Sequence, residues 1–219
     1  MAYRTSRLTR SRQCAAVGIA AIVITLASHA LTSAQSAGLV ERTWYDGATR
    51  RTIWMAPDRL AVVFDTASIP KTRVEAEQRV SRSLPGAVLD TQHGAVAVFR
   101  LPQSAGPSAS AESARVLRGE HGVRHASAVF YQGSRGPANP LVLSGEIIVG
   151  FKVAMSSDDL TRFARKYGIA LVRPLGVVPD TFVFDARAAG DSLALANSIF
   201  ETGQVTLAQP NWIQSATRR

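Results

Sequence analysis

A pair of histidines with an adjacent carboxylate is the arrangement in this chain that most resembles a metal-binding site. Glu120 precedes His121, and His125 follows four residues after His121. Imidazole nitrogens and carboxylates are donors that zinc accepts, and two histidines four apart would share one face of a helix. Gly122 disfavours a continuous helix there, and no third ligand is evident. The sequence therefore favours solvent-exposed loop histidines over a metal site.

The aspartates of the second half of the chain are the residues that could supply acid–base chemistry. Their positions beside predicted helix starts and turns favour capping and turn roles instead. Nucleophile elbows of the Gly-x-Ser-x-Gly type and glycine-rich phosphate loops do not occur in the sequence. We therefore expect no catalytic residue, no metal and no cofactor, and the chain is predicted not to be an enzyme. The aspartates concerned are Asp158, Asp159, Asp180, Asp185 and Asp191.

Residues 1–34 predict a secretory signal peptide. A basic start without acidic residues is followed by a small, apolar run from Cys14 to Ala27, and both Ala30 and Ala34 end sequences suited to cleavage. The run is shorter than the roughly 20 residues of a spanning helix, which argues against a stable membrane anchor. We expect export by the general secretory route, to the periplasm or the outside of the cell. The basic residues are Arg4, Arg7, Arg10 and Arg12.

The charge and cysteine content of the rest of the chain narrow the function further. Without the four signal-peptide arginines, the formal net charge of +9 falls to about +5. No basic helix or basic patch with interleaved aromatic residues is present, so a nucleic-acid partner is not expected. The only cysteine, Cys14, lies in the predicted signal, which leaves no disulfide or thiolate metal site.

Similar landmarks occur twice in the chain and predict an internal repeat. Each copy follows the order strand, helix, strand, strand, helix, strand, which is the ferredoxin-like split βαβ arrangement. Asp46-Gly47 between two strand-like segments predicts a β-hairpin ahead of the first copy. The expected fold class is therefore α+β, with tandem ferredoxin-like repeats and antiparallel sheets. The landmark pairs are Phe64 with Phe151, Phe99 with Phe184, and Gly122 with Gly203.

Composition and turn signals predict the boundaries of these parts. The predicted parts are a signal peptide (1–34), a hairpin extension (35–57), repeat 1 (58–131), a linker (132–143), repeat 2 (144–214) and a tail (215–219). Repeat 2 has the clearer helix signals, including a capping box and a terminating glycine. The predicted helices run from Ser156 to Gly168 and from Asp191 or Ser192 to Gly203 in repeat 2, and from Pro70 and around Ser110 to Gly119 in repeat 1.

The predicted first strand of each repeat is apolar on both faces. In repeat 1, Leu60, Val62 and Phe64 alternate with Ala61 and Val63. In repeat 2, Ile147, Val149 and Phe151 alternate with Ile148 and Gly150. A strand that is apolar on both sides indicates burial of both faces, whereas the helices of such a unit cover only one. The second face is therefore expected to meet the other repeat, another copy or a partner protein.

The run from Gly145 to Gln214 resembles the proregion of secreted subtilisin-like serine peptidases. The resemblance extends over about Thr43 to Gln214 and rests on degenerate strand and helix patterns. In those precursors the catalytic domain starts shortly after a segment like Ala208 to Trp212, whereas this chain runs only to Arg219. The Asp-Ser/Thr-Gly, His-Gly-Thr-His and Gly-Thr-Ser-Met-Ala motifs of the catalytic domain do not occur. The segments are GEIIVGFK, SSDDLTRFARKYG, IALVRPL, DTFVFDA, DSLALANSIFETG and QVTLAQPNWIQ.

This resemblance implies a secreted, non-catalytic partner of a subtilisin-like serine peptidase, acting in trans as folding chaperone, inhibitor or both. As a stand-alone chain, the protein is similar to external chaperones of such peptidases. In proregions the open sheet face docks on the catalytic domain, and the C-terminal tail enters the substrate cleft as an added strand. The implied sheet-face contacts are Ile148 and Gly150. The tail is expected to leave the sheet at Gln209 to Trp212, with Pro210, Asn211, Trp212, Ile213 and Gln214 as partner-binding residues.

Two other functions fit the same sequence. One is a stand-alone ferredoxin-like tandem that serves as an envelope ligand-binding or protein-interaction module. In that case the apolar faces pack the two repeats together or drive self-association, and Trp212 fills a domain edge. The other is an orphaned proregion from a truncated peptidase gene. Either repeat could be the one that docks.

Overall fold

The computed structural model describes residues 38–102, 108–132 and 140–214. These residues form a mixed α+β structure in which four helices accompany a mostly antiparallel, curled sheet. The predicted signal peptide, the predicted tail and most of the predicted linker lie outside the described residues. No described helix is long and apolar enough to cross a membrane.

Nine strands and four helices follow one another along the described chain. The strands are β1 (Val40–Asp46), β2 (Thr49–Phe64), β3 (Val88–His93), β4 (Val96–Arg100), β5 (Val123–Gln132), β6 (Pro140–Phe151), β7 (Ala170–Pro174), β8 (Thr181–Asp185) and β9 (Val205–Gln214). The helices are α1 (Arg73–Ser81), α2 (Ala109–Leu117), α3 (Ser157–Tyr167) and α4 (Ser192–Glu201).

The strands of the two parts pair in the same order. In half 1, defined as residues 49–132, the order across the sheet is β3-β4-β2-β5. In half 2, defined as residues 140–214, the order is β7-β8-β6, with β9 on the other edge of β6. One helix follows the first strand of each half, and another follows the third. The predicted order of elements is therefore present in both halves.

The halves are joined through the long strands β5 and β6. Val129 to Tyr131 pair with Pro140 to Val142, so strand structure begins at Pro140. The predicted linker of residues 132–143 was therefore too long at its C-terminal end, because residues 140–143 pair with β5 or β9. Strand β5 also pairs with β2 from Val123 to Gln132, and β6 pairs with β8 and β9. The described chain from Gly38 onward forms one compact unit.

The predicted N-terminal hairpin is present and continues into half 1. Asp46 pairs with Thr49 across a two-residue turn, in which Gly47 has a φ of 59°. A positive φ at this position suits the tight turns that follow the twist of a β-ribbon, and glycine adopts it without a steric penalty. The second hairpin strand and the first strand of repeat 1 are one strand, β2, with a bulge between Ala56 and Leu60.

Local signals in half 2 produce the helices that they predict. The Ser156 hydroxyl accepts from the Asp159 N–H at 3.2 Å, and the Asp159 side chain completes the capping box. Gly168 ends α3 in the left-handed conformation. Asp191 caps α4 by accepting from the N–H groups of Leu193 and Ala194. These short-range bonds satisfy donors that helix starts otherwise leave free.

The first helix of half 1 differs from its prediction. It begins at Arg73 with Thr72 as the N-cap, so Pro70 precedes the helix and does not form its first turn. The Thr72 hydroxyl accepts from the Glu75 N–H at 3.2 Å. A side-chain oxygen at the N-cap position satisfies an unpaired backbone donor, and this bond fixes the start of the helix. Helix α2 lies within one to two residues of its predicted bounds.

Each half places its helices against one face of its strands. In half 1, Leu60, Val62 and Phe64 share an apolar cluster with residues of α1 and α2. In half 2, Ile147 and Val149 share another with residues of α3 and α4. The period of two predicted from the sequence therefore assigns the helix-facing side of β2 and β6 correctly.

A third apolar cluster joins the hairpin to half 2. Trp44, Phe130 and Trp212 lie together, with ring centroids 5.9 Å apart for Trp44 and Trp212 and 5.6 Å apart for Phe130 and Trp212. Leu193 of α4 closes the cluster from the helix side. The Asn197 amide also donates to the Thr43 carbonyl at 2.8 Å. The hairpin is therefore held by contacts with half 2 as well as by the strand that it shares with half 1.

Candidate functional site

The strand face of half 2 that points away from its helices contains the predicted sheet-face residues. Ile148 is half-buried, and Gly150 pairs with Thr181 on β8 and Leu207 on β9. A Cβ atom on Gly150 would lie 3.2 Å from the Leu207 Cβ and 3.3 Å from the Thr181 hydroxyl. With the Thr206 hydroxyl at 3.0 Å as well, these neighbours leave almost no room for a side chain at position 150, and Gly150 is itself buried. We call this surface, formed by Ile148, Gly150, Thr181, Val183 and Leu207, the open face.

The corresponding face of half 1 is packed within the molecule. Ala61, Val63 and Val98 are at most 6% exposed and belong to a fourth apolar cluster. That cluster also contains Val142 and Ile213 from half 2. In contrast, Ile148 and Leu207 are half-buried, although Val183 and Thr181 are buried. Among the described residues, the open face of half 2 is therefore the more accessible of the two.

The predicted tail residues lie inside the sheet. Strand β9 runs through Pro210 to Gln214 and pairs with β6, with Trp212 opposite Leu143 and Gln214 opposite Leu141. The sequence led us to expect that the chain leaves the sheet at Gln209 to Trp212. This prediction is wrong, because β9 remains paired with β6 through Gln214. The ladder continues because the N-terminal part of β6, including residues 141–143, supplies a pairing edge for these residues.

The side chains of β9 have separate surroundings. Trp212 packs against Trp44 and Phe130, whereas Ile213 contacts the fourth cluster. The Asn211 amide donates to Glu146 at 2.8 Å, and the Asn211 carbonyl accepts from the Ser144 hydroxyl at 2.7 Å. Gln214 is exposed and Pro210 is buried. The structure therefore brings Ile148 and Gly150 together on one face, and it places most of the side chains from Pro210 to Ile213 in internal contacts.

The hairpin loop between β7 and β8 is an exposed apolar feature that sequence reasoning missed. Val177 is 85% exposed and Val178 is 51% exposed. On β7 itself, Leu171 and Val172 are 45% and 49% exposed. The sequence signal was the run of apolar residues between Pro174 and Pro179. Turns more often contain polar residues at such positions.

A cleft between the two halves lies where β5 and β6 separate. It has a volume of about 520 Å³ and is lined by Arg118 and Arg124 from half 1 and by Asp185 and Arg187 from half 2. Arg187 Nε donates to Asp185 at 2.9 Å, and Arg124 donates to Glu146 at 2.9 Å. Hydrogen bonds from Arg187 are the main cause that lowers the pKa of Asp185. The acidic partners therefore balance the charge of two arginines in the cleft.

His125 is buried beside this cleft. Its side chain is 0% exposed, and neither ring nitrogen has a hydrogen-bond partner in the described structure. Burial, with smaller contributions from Arg118 and Arg187, lowers its pKa from 6.5 to about 4. The prediction of a solvent-exposed loop histidine is wrong for His125, because it lies in β5 opposite Val63. The signal for a strand was the internal repeat, in which Gly122 corresponds to Gly203 and a strand follows Gly203.

The residues first considered for metal or acid–base chemistry lie apart from one another. His121 is exposed, whereas His125 is buried. Asp159 and Asp191 cap helices, and Asp185 pairs with Arg187. The described part of the chain contains no group of three His, Cys, Asp or Glu side chains that could hold a metal ion.

Comparisons with known proteins found no similar protein. No protein-family model, no curated protein and no solved structure matches the chain.

Proposed function

We propose that this chain is an exported, non-catalytic partner of a subtilisin-like serine peptidase, which it binds in trans as chaperone, inhibitor or both. The proposal includes the interpretation of each half as a ferredoxin-like unit, supported by the shared strand order β3-β4-β2-β5 and β7-β8-β6-β9. The resemblance to peptidase proregions supplies the partner, and the structure supplies a surface that such a partner could cover.

The open face of half 2 is the observation that carries the proposal. It is a sheet surface on which the apolar side chains of Ile148 and Leu207 are only half-buried, beside the buried Gly150. Glycine within a strand often marks a place where another backbone approaches closely. A partner element resting on this surface would bury apolar area that the described chain leaves partly in water.

The placement of β9 changes the tail part of the proposal. Strand β9 stays paired with β6 through Gln214, so residues 210–214 would have to leave the sheet before they could enter a substrate cleft. An extended segment can bind a cleft through main-chain hydrogen bonds. Trp212 then acts indirectly, by holding β9 against Trp44 and Phe130.

An activity assay tests the proposal. The purified chain is added at micromolar concentration to subtilisin, and both residual peptidase activity and recovery of activity after denaturation are measured. We expect lower residual activity, higher recovery or both. If neither quantity changes, with subtilisin or with any subtilisin-like peptidase encoded beside this chain, the proposal is wrong.

A matched pair of variants locates the docking surface. Ile148→Glu places a charge on the open face, whereas Val116→Glu places the same charge on α2, where Val116 is 43% exposed. We expect Ile148→Glu to weaken binding of subtilisin at least tenfold and Val116→Glu to leave it within twofold. Equal effects of the two variants would exclude the open face as the contact.

A second candidate function is a stand-alone interaction module that packs its own apolar faces. The fourth cluster supports it, because residues of both halves already cover one another there. Trp212 in the third cluster also fits the alternative in which it fills a domain edge. This function predicts self-association without any effect on a peptidase, which sedimentation velocity over a hundredfold range of concentration would detect.

A further inference from the structure

Arg118 differs from the other two arginines of the cleft between the halves. Arg124 and Arg187 each form an ion pair with a carboxylate, whereas no carboxylate of the described residues forms one with Arg118. The guanidinium of Arg118 has five N–H donors, of which Nη1 donates to the Ala126 carbonyl at 3.1 Å. Arg118 therefore brings to the cleft a positive charge that the described chain does not pair.

Asp191 is the nearby carboxylate that favours the charged form of Arg118, but it is engaged elsewhere. Burial lowers the pKa of Arg118 below its ordinary value, Asp191 opposes this effect and Arg115 adds to it. Asp191 Oδ1 accepts from the N–H groups of Leu193 and Ala194 at 3.1 Å and 3.0 Å, and so caps α4. A carboxylate at a helix start compensates the positive end of the helix dipole. The charge of Arg118 is therefore in excess in this part of the described structure.

The Arg118 side chain reaches from half 1 to half 2. Arg118 is the C-cap residue of α2, and its bond to Ala126 holds the guanidinium against β5. Its Nη2 lies 3.6 Å from the position that a Cβ atom on Gly190 would take, just before the cap of α4. The guanidinium is thus positioned by the backbone of both halves. A group that is positioned before binding loses little conformational entropy when a ligand arrives.

His125 lies at the same junction and has no hydrogen-bond partner in the described structure. It is 0% exposed, and a Cβ atom on Gly145 would lie 2.9 Å from its Nδ1 and 2.5 Å from Arg187 Cγ. Burial, and then the charges of Arg118, Arg187 and Arg124, lower the pKa of His125. The three arginine charges therefore converge beside a neutral histidine. Because buried polar groups usually have partners, this junction has the character of a binding site.

The other walls of the cleft are apolar. Val123 from half 1 and Ile169 and Ala188 from half 2 line it together with the arginines. Val123 and Ile169 are each 8% exposed, so their side chains are fixed parts of the wall. The volume of about 520 Å³ lies within the range of small-molecule sites in proteins. The cleft can therefore hold a charged group and an apolar body side by side.

We propose that this cleft binds a small organic monoanion, whose carboxylate is held by Arg118 and whose apolar part lies against Val123 and Ile169. A carboxylate carries one negative charge at neutral pH, which matches the single excess positive charge. Its two oxygens also fit the planar fork of a guanidinium. A phosphate dianion would leave one negative charge unmatched. The inference does not rest on the proposed function, because the cleft involves none of the residues of the open face.

Two ligands of nearly equal shape test the requirement for a charge. Benzoate carries a carboxylate and benzamide a neutral amide, and each is added to the isotopically labelled chain at neutral pH and constant ionic strength. Amide chemical shifts are followed by two-dimensional NMR. We expect benzoate to shift the amides of Val123, Ile169 and Ala188 with a millimolar Kd. Benzamide and inorganic phosphate are expected to bind at least tenfold more weakly.

A pair of arginine variants at equivalent helix positions tests the role of Arg118. Arg118→Gln removes a charge at the C-cap of α2, whereas Arg82→Gln removes one at the C-cap of α1, where Arg82 is exposed. We expect Arg118→Gln to raise the Kd for benzoate at least tenfold and Arg82→Gln to change it by less than twofold. Should Arg118→Gln fail to fold, Arg118→Lys keeps the charge without the planar fork and should raise Kd at least threefold.

Several results would overturn the inference. Benzoate that shifts none of the cleft amides at tens of millimolar would exclude the site. Equal binding of benzoate and benzamide would show an apolar contact without anion recognition, and tighter binding of inorganic phosphate would exclude a carboxylate site. Equal effects of Arg118→Gln and Arg82→Gln would show a general response to net charge. None of these measurements uses a peptidase, so each outcome leaves the proposed function unchanged.

Discussion

Half 1 and half 2 have the same strand order but different second faces. In half 1, Ala61, Val63 and Val98 are buried in a cluster that includes residues of half 2. In half 2, Ile148 and Leu207 stay half-buried around Gly150, and the hairpin loop between β7 and β8 extends into solvent. The same strand order can therefore complete a shared core in one half and leave apolar side chains partly exposed in the other.

The helices of the two halves also differ in the strength of their local signals. Helix α3 has a full capping box at its start and a left-handed glycine at its end. Helix α1 has a single cap from Thr72 and continues into Arg82 without a left-handed residue there. Helix α1 therefore depends more on its tertiary contacts, through Ala76 and Val80, than α3 does.

The largest effect is expected from removing the corresponding phenylalanines of the two halves. Phe99 and Phe184 are both 0% exposed, one in each helix-facing core. We expect Phe99→Ala and Phe184→Ala each to lower the free energy of unfolding by about 3–5 kcal/mol. Because the halves share two apolar clusters, each variant should unfold in one transition by circular dichroism. Two separate transitions would show that the halves are independent.

Acid should lower the stability of the folded chain through His125. The pKa of His125 is lowered to about 4, mainly by burial, with Arg118, Arg187 and Arg124 adding to the effect and Asp185 opposing it. The unfolded chain takes up this proton below about pH 6.5, whereas the folded chain does so only near pH 4. Stability is therefore lost as the pH falls from 6.5 to 4, by on the order of 3 kcal/mol.

Urea denaturation at a series of pH values measures this loss. His125→Leu removes the titrating group and should give a flatter dependence on pH than the unaltered chain. His121→Leu, at an exposed position, is the control and should leave the dependence unchanged. Parallel curves for the unaltered chain and His125→Leu would contradict the assignment to His125.

Trp212 tests whether β9 serves the fold or a partner. Its ring is half-buried against Trp44 and Phe130, so Trp212→Ala should lower the free energy of unfolding by about 2 kcal/mol. Gln214→Ala, at an exposed position of the same strand, should change it very little. Chemical denaturation followed by circular dichroism gives both values. A fully stable Trp212→Ala variant would return this residue to the set of direct partner contacts.

The smallest effect is expected from the helix caps. Ser156→Ala removes the cap of α3 and Thr72→Ala that of α1, and each should lower the free energy of unfolding by about 1 kcal/mol. The loss should be larger for Ser156, because its hydroxyl also contacts Asp159, which in turn bonds the Ser156 N–H. Equal losses at the two positions would mean that the capping box adds nothing beyond a single cap.

Short-range patterns predicted much of the fold. The helix ends of half 2 followed from the capping residues Ser156 and Asp191 and from the terminating Gly168. The strand faces followed from the alternation around Val62 and Val149. Each of these signals depends only on neighbours a few residues away. The predicted start of α1 was wrong. Pro70 and Thr72 both suit a helix start, and the helix begins after Thr72, whose hydroxyl caps it.

The candidate site was predictable only in part. Ile148 and Gly150 share one strand face, as the period of two indicates, but only Ile148 is partly exposed and Gly150 is buried. The exposure of Val177 and Val178 was not foreseen, because an apolar run is equally compatible with a buried strand.

The sequence by itself determined the order of elements, the helix caps and the helix-facing side of β2 and β6. Only the tertiary structure decided that β9 remains paired through Gln214, that Trp212 packs against Trp44, and that His125 is buried between the halves. The physical reason is the range of the contacts involved. A cap or an alternation is set by residues within one or two turns. Pairing edges and burial depend on distant segments: Leu141 and Gln214 are 73 residues apart, and Trp44 and Trp212 are 168 residues apart.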